Sequence, residues 1–567
     1  MVLSTDALLD LEHRRRLAAD QGIGGGNAWA AARRHSPAPD AKVLLADRPL
    51  TGLDGRLQAE FSIAELDDLA QAWSGWYLDL GVRPRDRVAV YLDDSFEDQL
   101  HLAALSRIGA IAVLVNGRMP VDTALGLIRR TAPVGLYTDR AHLAELAGRQ
   151  AGAGVAWTRT AEDATGLTHR PLPDAACYRH APDDPVLICH SSGTTGDPKP
   201  VVHTHAQSVA GLRARLAERA EAPDVRILSA APQSHAGATA FTLYCLLAGV
   251  PLIALSRPGG PEVAAAVARY RPTLVLAFNQ THAALATTEL REEDFASVRY
   301  WINMGDAAHD RHVRTLMRLG YHLADGERRP GSFFGDGLGS SELGWNALGR
   351  VFTPDSPPRP RHLGRVVPPA RVAVLRPDGS EAGPDEVGML GVDSPAVTPG
   401  YWNDSDTTYR SRIGTWFLSG DLVRRDAGGD FFHVDRVVDA IHTADGPGYS
   451  VLMEETLLLA LPEVADCAVV AGRHTGRTVP VAVVRLREPG ADPAELLARA
   501  GKALRAAGQP ELALLECAAE QDLPVGATGK VLKRVLRERY ADLAGLPALP
   551  GRAFAAAAPA SAPHPAS

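Results

Sequence analysis

The chain has 567 residues, 46% of them hydrophobic and 22% charged, proportions of an ordinary globular protein too long for one core, so two or more domains are expected. Its 59 Lys and Arg against 67 Asp and Glu leave a net charge of −8, which gives no electrostatic reason to expect a nucleic acid as partner. No apolar run reaches membrane-spanning length. The 5 cysteines, Cys177, Cys189, Cys245, Cys467 and Cys517, fit neither a disulfide framework nor zinc spacing, and a reducing cytoplasm is the expected location.

The amino terminus reads LLDLEHRRR with no apolar segment after it, so no secretory signal is expected. Residues 1–27 read as an extension, a short helix followed by a flexible break at the glycine-rich stretch 22–26. Over residues 61–139, helix-period and strand-like segments alternate. Ser62 stands where it can cap a helix through Leu69 and Trp73, and the turn Gly81-Val82-Arg83-Pro84 leads to apolar runs at 87–91 and 109–116. Such alternation predicts a parallel sheet covered by helices.

Residues 190–205 read HSSGTTGDPKPVVHTH. A Ser/Thr/Gly loop offers hydroxyls and close-approach backbone N–H groups to phosphate oxygens, and Lys199 adds a point charge. The spacing is neither that of a Walker loop nor of a dinucleotide fingerprint. Downstream, strands are expected near 227–231, 250–255 and 273–277, and helices near 239–248 and 261–270. The character changes after Pro395, at Gly400-Tyr401-Trp402-Asn403. From about residue 440 a smaller α+β unit follows, with helices at 452–461 and 493–507 and strands at 465–471 and 479–486. A second motif, LPVGATGKVLKR, occupies 523–534, and residues 546–567 form an Ala/Pro-rich tail expected to be disordered.

The nine residues from Ser191 to Lys199 closely resemble the AMP-binding signature of the adenylate-forming superfamily of acyl-CoA synthetases, peptide-synthetase adenylation domains and luciferases. The 523–534 motif is similar to that family's C-terminal element, and the likeness extends over most of the chain. It implies an α/β fold: a large domain of helix-covered sheets over 28–434, a hinge at 435–439 and a mobile α+β domain over 440–545.

Forming an adenylate means attack by an oxyanion on the α-phosphorus of ATP as pyrophosphate leaves. The protein aligns two anions and neutralises charge. The resemblance implies that Ser191, Ser192, Gly193, Thr194, Thr195, Gly196 and Lys199 hold phosphates, and that Thr194 and Glu342 serve Mg2+. In Asp336-Gly337-Leu338-Gly339-Ser340-Ser341-Glu342, Ser341 would meet the α-phosphate, with Gly339 and Ser340 beside it, and Leu338 replaces the usual aromatic cover of adenine. Gly305-Asp306-Ala307 matches the adenine-contacting segment, Asp421 the carboxylate on the ribose hydroxyls, and Arg436 a ribose or phosphate contact. Lys530 would bridge the oxyanion and the α-phosphate. Its neighbours Lys533, Arg534 and Arg537 read as a solvated basic face.

His235 stands where relatives gate the acid. With Asn279, Gln280, Asn303 and His309 it makes a pocket too polar for an alkyl chain, so the resemblance implies a small, polar or aromatic acid. Two acceptors are open. CoA is the commonest in the superfamily. The other is an amine, as in the similar ATP-dependent diazotases, which activate nitrite for attack by an aryl amine such as an aminobenzoate. The usual hinge Asp or Lys is replaced by Val438 unless Asp439 takes its place, and the turn over 441–449 departs from the CoA-side pattern. A non-catalytic nucleotide-binding protein is a third reading, opposed by the presence together of Lys530, Glu342 and Asp421.

Overall fold

The computed structural model describes residues 3–149, 154–164, 167, 171–191, 197–256, 258–305, 308–518, 524, 531–547 and 551–555. Among them, two sheets make the large domain. The first has fourteen strands, with a parallel centre in the order Phe333–Leu338, Tyr300–Met304, Leu274–Phe278, Ile227–Ala230, Leu252–Ala254, Lys42–Thr51. The second has six. Trp157–Arg159, Gly135–Thr138, Arg87–Leu92, Ile111–Asn116 and Pro185–His190 run parallel, and Pro200–Thr204 returns antiparallel at the edge.

The strands are apolar on both faces because each face has its own core. Val88, Val90 and Leu92 point into one cluster while Ala89 and Tyr91 point into another; likewise Ile227 parts from Leu228 and Ala230. The shared cluster lies between the sheets and takes side chains from the helices Ala28–His35, Ile63–Asp79, Glu97–Arg107 and Ala236–Ala248. The result is helices, sheet, helices, sheet, helices in layers. Ser62 begins the helix Ile63–Asp79 with a reciprocal cap: its hydroxyl accepts from Glu65 N at 3.1 Å and the Glu65 carboxylate accepts from Ser62 N at 2.7 Å.

The glycine stretch near the amino terminus is not a loose break. A Cβ on Gly24 would lie 2.4 Å from His205, and one on Gly26 2.3 Å from His180, so glycine is required for close approach. Gly25 N also donates to His205 O at 2.8 Å, and Arg213 holds Ala18 O and Ile23 O, which fastens the helix Leu11–Ala19 to the body.

The smaller unit has a four-stranded sheet, Val464–His474, Arg477–Leu486, Leu514–Cys517 and Arg552–Phe554, with helices Ser450–Ala460, Pro493–Ala506 and Lys533–Arg539. Its last strand corrects the expectation of disorder from residue 546 onward. Ala553 is buried and Arg552 Nε pairs with Glu516 Oε2 at 2.5 Å, so residues 552–554 gain a buried charge partner and a strand neighbour. Residues 556–567 lie outside the described residues.

Candidate active site

In a parallel sheet the carboxyl ends of the strands open into a crevice, and the expected site residues stand there. His190, Asn279, Gly305 and Leu338 end or follow strands Pro185–His190, Leu274–Phe278, Tyr300–Met304 and Phe333–Leu338, and His235 follows Ile227–Ala230. The signature loop is closed at its base: Ser191 N donates to Lys199 O at 3.1 Å and Lys199 N to Ser191 Oγ at 3.0 Å. Ser192, Gly193, Thr194, Thr195 and Gly196 lie outside the described residues, as do Asp306, Ala307 and Lys530.

The base of the loop meets the Ser341 segment across the two sheets. Ser341 Oγ donates to His190 O at 3.2 Å and His203 Nε2–H donates to Ser341 O at 2.8 Å. Ser340, by contrast, is exposed and serves a turn, its hydroxyl accepting from Leu343 N. Glu342 has its backbone fixed by Thr398 N at 2.7 Å and one carboxylate oxygen accepting from Tyr401 OH at 3.2 Å, and the Lys199 ammonium sits 5.2 Å from the Tyr401 ring centre. No ion pair to Glu342 occurs among the described residues, which leaves this half-buried carboxylate able to take a hard cation. Gly337 and Gly339 permit the close strand approach, since a Cβ would meet Leu348 O at 2.4 Å or Asn346 Oδ1 at 2.5 Å. Leu338 is half-buried against the cluster of Leu348 and Phe431.

Asp421 and Arg436 face each other because Trp416–Arg425 and Phe431–Arg436 pair in register at those residues. Asp421 Oδ2 accepts from Ser419 Oγ at 2.8 Å, and Oδ1 lies 3.3 Å from Arg436 and 3.5 Å from His433. Burial acts to raise the Asp421 carboxyl, but the hydrogen bond to His433 and the Arg436 charge outweigh it, so it lies below the usual carboxylate range. Asp421 is therefore an ionised acceptor. Beyond Arg436, Val437 and Val438 are exposed, Val438 at 54%, and Asp439 is paired with Arg537 at 2.5 Å.

That pairing corrects the reading of Lys533, Arg534 and Arg537 as a solvated face. Lys533 Nζ is half-buried, 2.8 Å from Glu454 Oε1 and 2.5 Å from Ser450 Oγ; only Arg534 of the three is exposed.

At the acid end, His235 Nδ1 accepts from Gly237 N at 3.0 Å, capping the helix Ala236–Ala248, so the ring proton is on Nε2. Burial, aided by His190 and His203 nearby, pushes His235 down to about 4. It is a neutral hydrogen-bond donor at any physiological pH and no base. Its ring packs edge-on to Phe278, centroids 4.9 Å apart. Asn279 Oδ1 is buried with no hydrogen-bond partner among the described residues, so it can accept from a donor. Asn303 Nδ2 donates to Asp336 Oδ1 at 2.9 Å, whereas Gln280 and His309 are exposed and His309 packs on His312. His282 is structural, bonded to Ile302 O at 3.1 Å.

Three groups here were not singled out from the sequence. His190 and His203, both lowered by burial, join the loop to Ser341; Tyr401 reaches Glu342; and Asp336 forms a buried pair with Arg350 at 2.9 Å. Their only sequence signals were the His residues flanking the signature and the aromatic pair after Gly400. A cavity of about 400 Å3 is walled by Asp93, Arg118, Pro258, Gly259 and Glu262, none of them an expected pocket residue. No group of three or more His, Cys, Asp or Glu among the described residues could hold a metal alone.

Comparison with known proteins gives the family and the fold. The model of the AMP-binding enzyme family matches residues 38–402. A 3-aminoavenalumate diazotase from Streptomyces sp is 39% identical over 557 residues, 94% of this chain and 99% of the relative. A 3-hydroxybenzoate–CoA ligase from Aromatoleum sp. (strain CIB) is 27% identical over 479 residues, 81% and 87% of the two chains. The fold is similar to ATP-bound MatB from Rhodopseudomonas palustris, with a TM-score of 0.74 at 21% identity, covering 91% of this chain and 99% of that one. The chain belongs to the AMP-binding family of adenylate-forming enzymes.

Proposed function

We propose that this enzyme is an ATP-dependent diazotase, adenylating nitrite and passing the activated nitrogen to an aryl amine such as an aminobenzoate. The observation that carries the reading is the 39% identity to a diazotase across nearly the whole of both chains, against 27% for the benzoate ligase. In the first step a nitrite oxygen attacks the α-phosphorus and pyrophosphate leaves. In the second the amine nitrogen attacks the nitroso nitrogen, AMP leaves and the amine loses a proton to give the nitrosamine; tautomerisation, protonation of its oxygen and loss of water then give the diazonium.

Several described residues have duties in the first step. Ser191, Lys199 and Ser341 bracket the phosphates from two sheets, and Asp421 accepts the ribose hydroxyls as an anion. Glu342 suits Mg2+ arriving with the nucleotide, because one carboxylate plus phosphate oxygens is a common way to bind that ion; when bound it neutralises phosphate charge. His235 Nε2–H offers a small oxyanion a neutral donor without a competing charge. Lys530, by its motif, bridges the two reacting anions. A cytoplasmic location, where ATP is at hand, belongs to this reading.

Turning of the smaller unit between the two steps would centre on Val438, since Val437 N donates to Gly420 O at 2.9 Å. Arg436 is tied to Asp421 on one side and Asp439 to Arg537 on the other. The 441–449 turn folds as the hairpin Ala440–Thr443 and Gly446–Tyr449, with Tyr449 N fixed by Gln509 and Gly448 packed on Pro510. A pinned hairpin in place of the family's glycine turn supports a compact acceptor over the CoA arm. Transfer of an aromatic acid to CoA is the second reading, favoured by the likeness to the benzoate ligase.

The test supplies ATP, Mg2+ and an aminobenzoate with nitrite, and separately aromatic acids with CoA. AMP release that needs both nitrite and amine, with a diazonium trapped as an azo dye, supports the proposal. Rapid thioester formation without nitrogen chemistry would refute it.

A further inference from the structure

The turn that carries His235 is held from behind by the residues that open the helix Glu97–Arg107. Asp94 Oδ1 accepts from Gln233 N at 2.7 Å, while the Gln99 amide donates to Gln233 O and, at 3.0 Å, to Thr239 Oγ1. Both backbone polar groups of Gln233 are thereby taken, two residues before the ring. Neither Asp94 nor Gln99 lies in a motif. Asp94 is 4% exposed and Asp98 1%, yet Asp94 Oδ2 and Asp98 Oδ1 have no hydrogen-bond partner among the described residues. Unpaired buried carboxylate oxygens cost stability, so two of them, one just before the helix and one in its first turn, ask for a use.

We propose that Asp94, with Gln99, is a positioning residue for the acid end of the site: by holding both backbone groups of Gln233 it fixes the direction of the His235 Nε2–H, and so sets affinity for the acid and not for ATP. The inference rests on His235 meeting the acid, and not on which nucleophile follows.

The charged groups around Asp94 give the clamp a pH signature. Asp47 and Arg48 face it from the strand Lys42–Thr51, Arg48 donating to Asp94 O; Asp93 is its neighbour, Glu97 and Asp98 lie on the helix, and Arg118 follows Ile111–Asn116. Burial, with the charges of Asp47 and Asp93, outweighs Gln233 N–H and Arg118 and brings Asp94 up to about 7. An ionised acceptor binds an N–H more strongly than a neutral one, so the clamp tightens as pH rises through that value.

The experiment is pyrophosphate exchange, with nitrite and 3-hydroxybenzoate as the acids, on Asp94→Ala, Asp94→Asn, Gln99→Met and His235→Ala. Asp94→Ala should raise the acid KM about tenfold, the scale of one hydrogen bond to a charged acceptor, with the ATP KM within about twofold. Asp94→Asn keeps an acceptor and should recover most of the loss, but without the wild-type fall in acid KM between about pH 6 and 8. Gln99→Met should move the acid KM the same way and guards against misfolding of the Asp94 variants. Equal change in both KM values, or a wild-type pH profile in Asp94→Asn, would overturn the proposal; so would a crystal structure of Asp94→Ala with the 233–235 turn unmoved. An unchanged acid KM in His235→Ala overturns the His235 reading as well, whereas a His235→Ala defect beside normal Asp94→Ala kinetics overturns this proposal alone.

Discussion

Replacing Asp421 by Asn separates its part in nucleotide binding from its part in the fold. For the fold, the carboxylate lies 3.3 Å from Arg436, whose side chain is 43% exposed, so solvent screens the pair and its loss costs about 1 kcal/mol or less. The Ser419 hydroxyl can still donate to the amide oxygen. A melting temperature lowered by no more than about 4 °C is expected. For binding, a carboxylate can accept from both ribose hydroxyls, each charge-assisted bond contributing roughly 1.5–3 kcal/mol, whereas an amide offers one neutral oxygen and one unwanted donor. Losing one such bond and weakening the other comes to about 3 kcal/mol, or roughly a hundredfold in ATP affinity. Pyrophosphate exchange at varied ATP reads this directly, and the acid KM should stay near wild type. A folded Asp421→Asn protein with an ATP KM within about twofold of wild type would remove Asp421 from the ribose site.

Lys530→Ala should slow adenylation by roughly two to three powers of ten without loss of melting temperature, the scale of one preorganised charged contact; wild-type exchange would remove it from the mechanism. Glu342→Gln should raise the Mg2+ requirement while ATP affinity changes less, and Mg2+ titrations that superimpose would reduce Glu342 to a turn residue. His142 has one ring nitrogen 2.7 Å from Asp139 and the other 2.9 Å from Gly117 O, so both favour N–H, and the Asp139 bond raises its pKa above the usual 6.5 although burial opposes. A raised folded pKa stabilises fully below the unfolded value and fades as pH rises through the folded one, so His142→Gln should lower the melting temperature more at about pH 6 than at about pH 9, by about 1 kcal/mol. Equal losses at both would refute a charged His142.

The fold was legible because each signal was local. Continuous apolar runs and helix-period stretches placed strands and helices within a few residues, as at Ile227–Ala230 and Pro493–Ala506, and the Ser62 cap is a contact over three residues. The site was legible only where its residues sit in ordered motifs. Asp336 and Arg350 meet through the register of an antiparallel hairpin, and His203 meets Ser341 across 138 residues and two sheets; no spacing in one sequence encodes either. The same blindness explains the misread basic helix. Lys533 and Arg537 look solvated beside Arg534, but Glu454 and Asp439, far back in the chain, supply the partners. At the tail, composition argued for disorder, and three residues overrode it by completing a sheet whose edge would otherwise be open.

The ion pairs around Val438 bear on the choice of acceptor. Val437 N donates to Gly420 O at 2.9 Å and Arg436 is tied to Asp421, so the chain is fixed to the large domain up to Val437; from Asp439, held by Arg537, it is fixed to the smaller unit. On the proposed turning, backbone freedom between the two units would centre on Val438, a β-branched residue whose side chain narrows the conformations it adopts. A long arm such as that of CoA needs a wide reorientation to reach the adenylate, whereas an aryl amine needs only a gap at the crevice. Restricted turning at Val438 is thus a reason for the proposal that the second step uses a small nucleophile, which would enter without displacing the smaller unit.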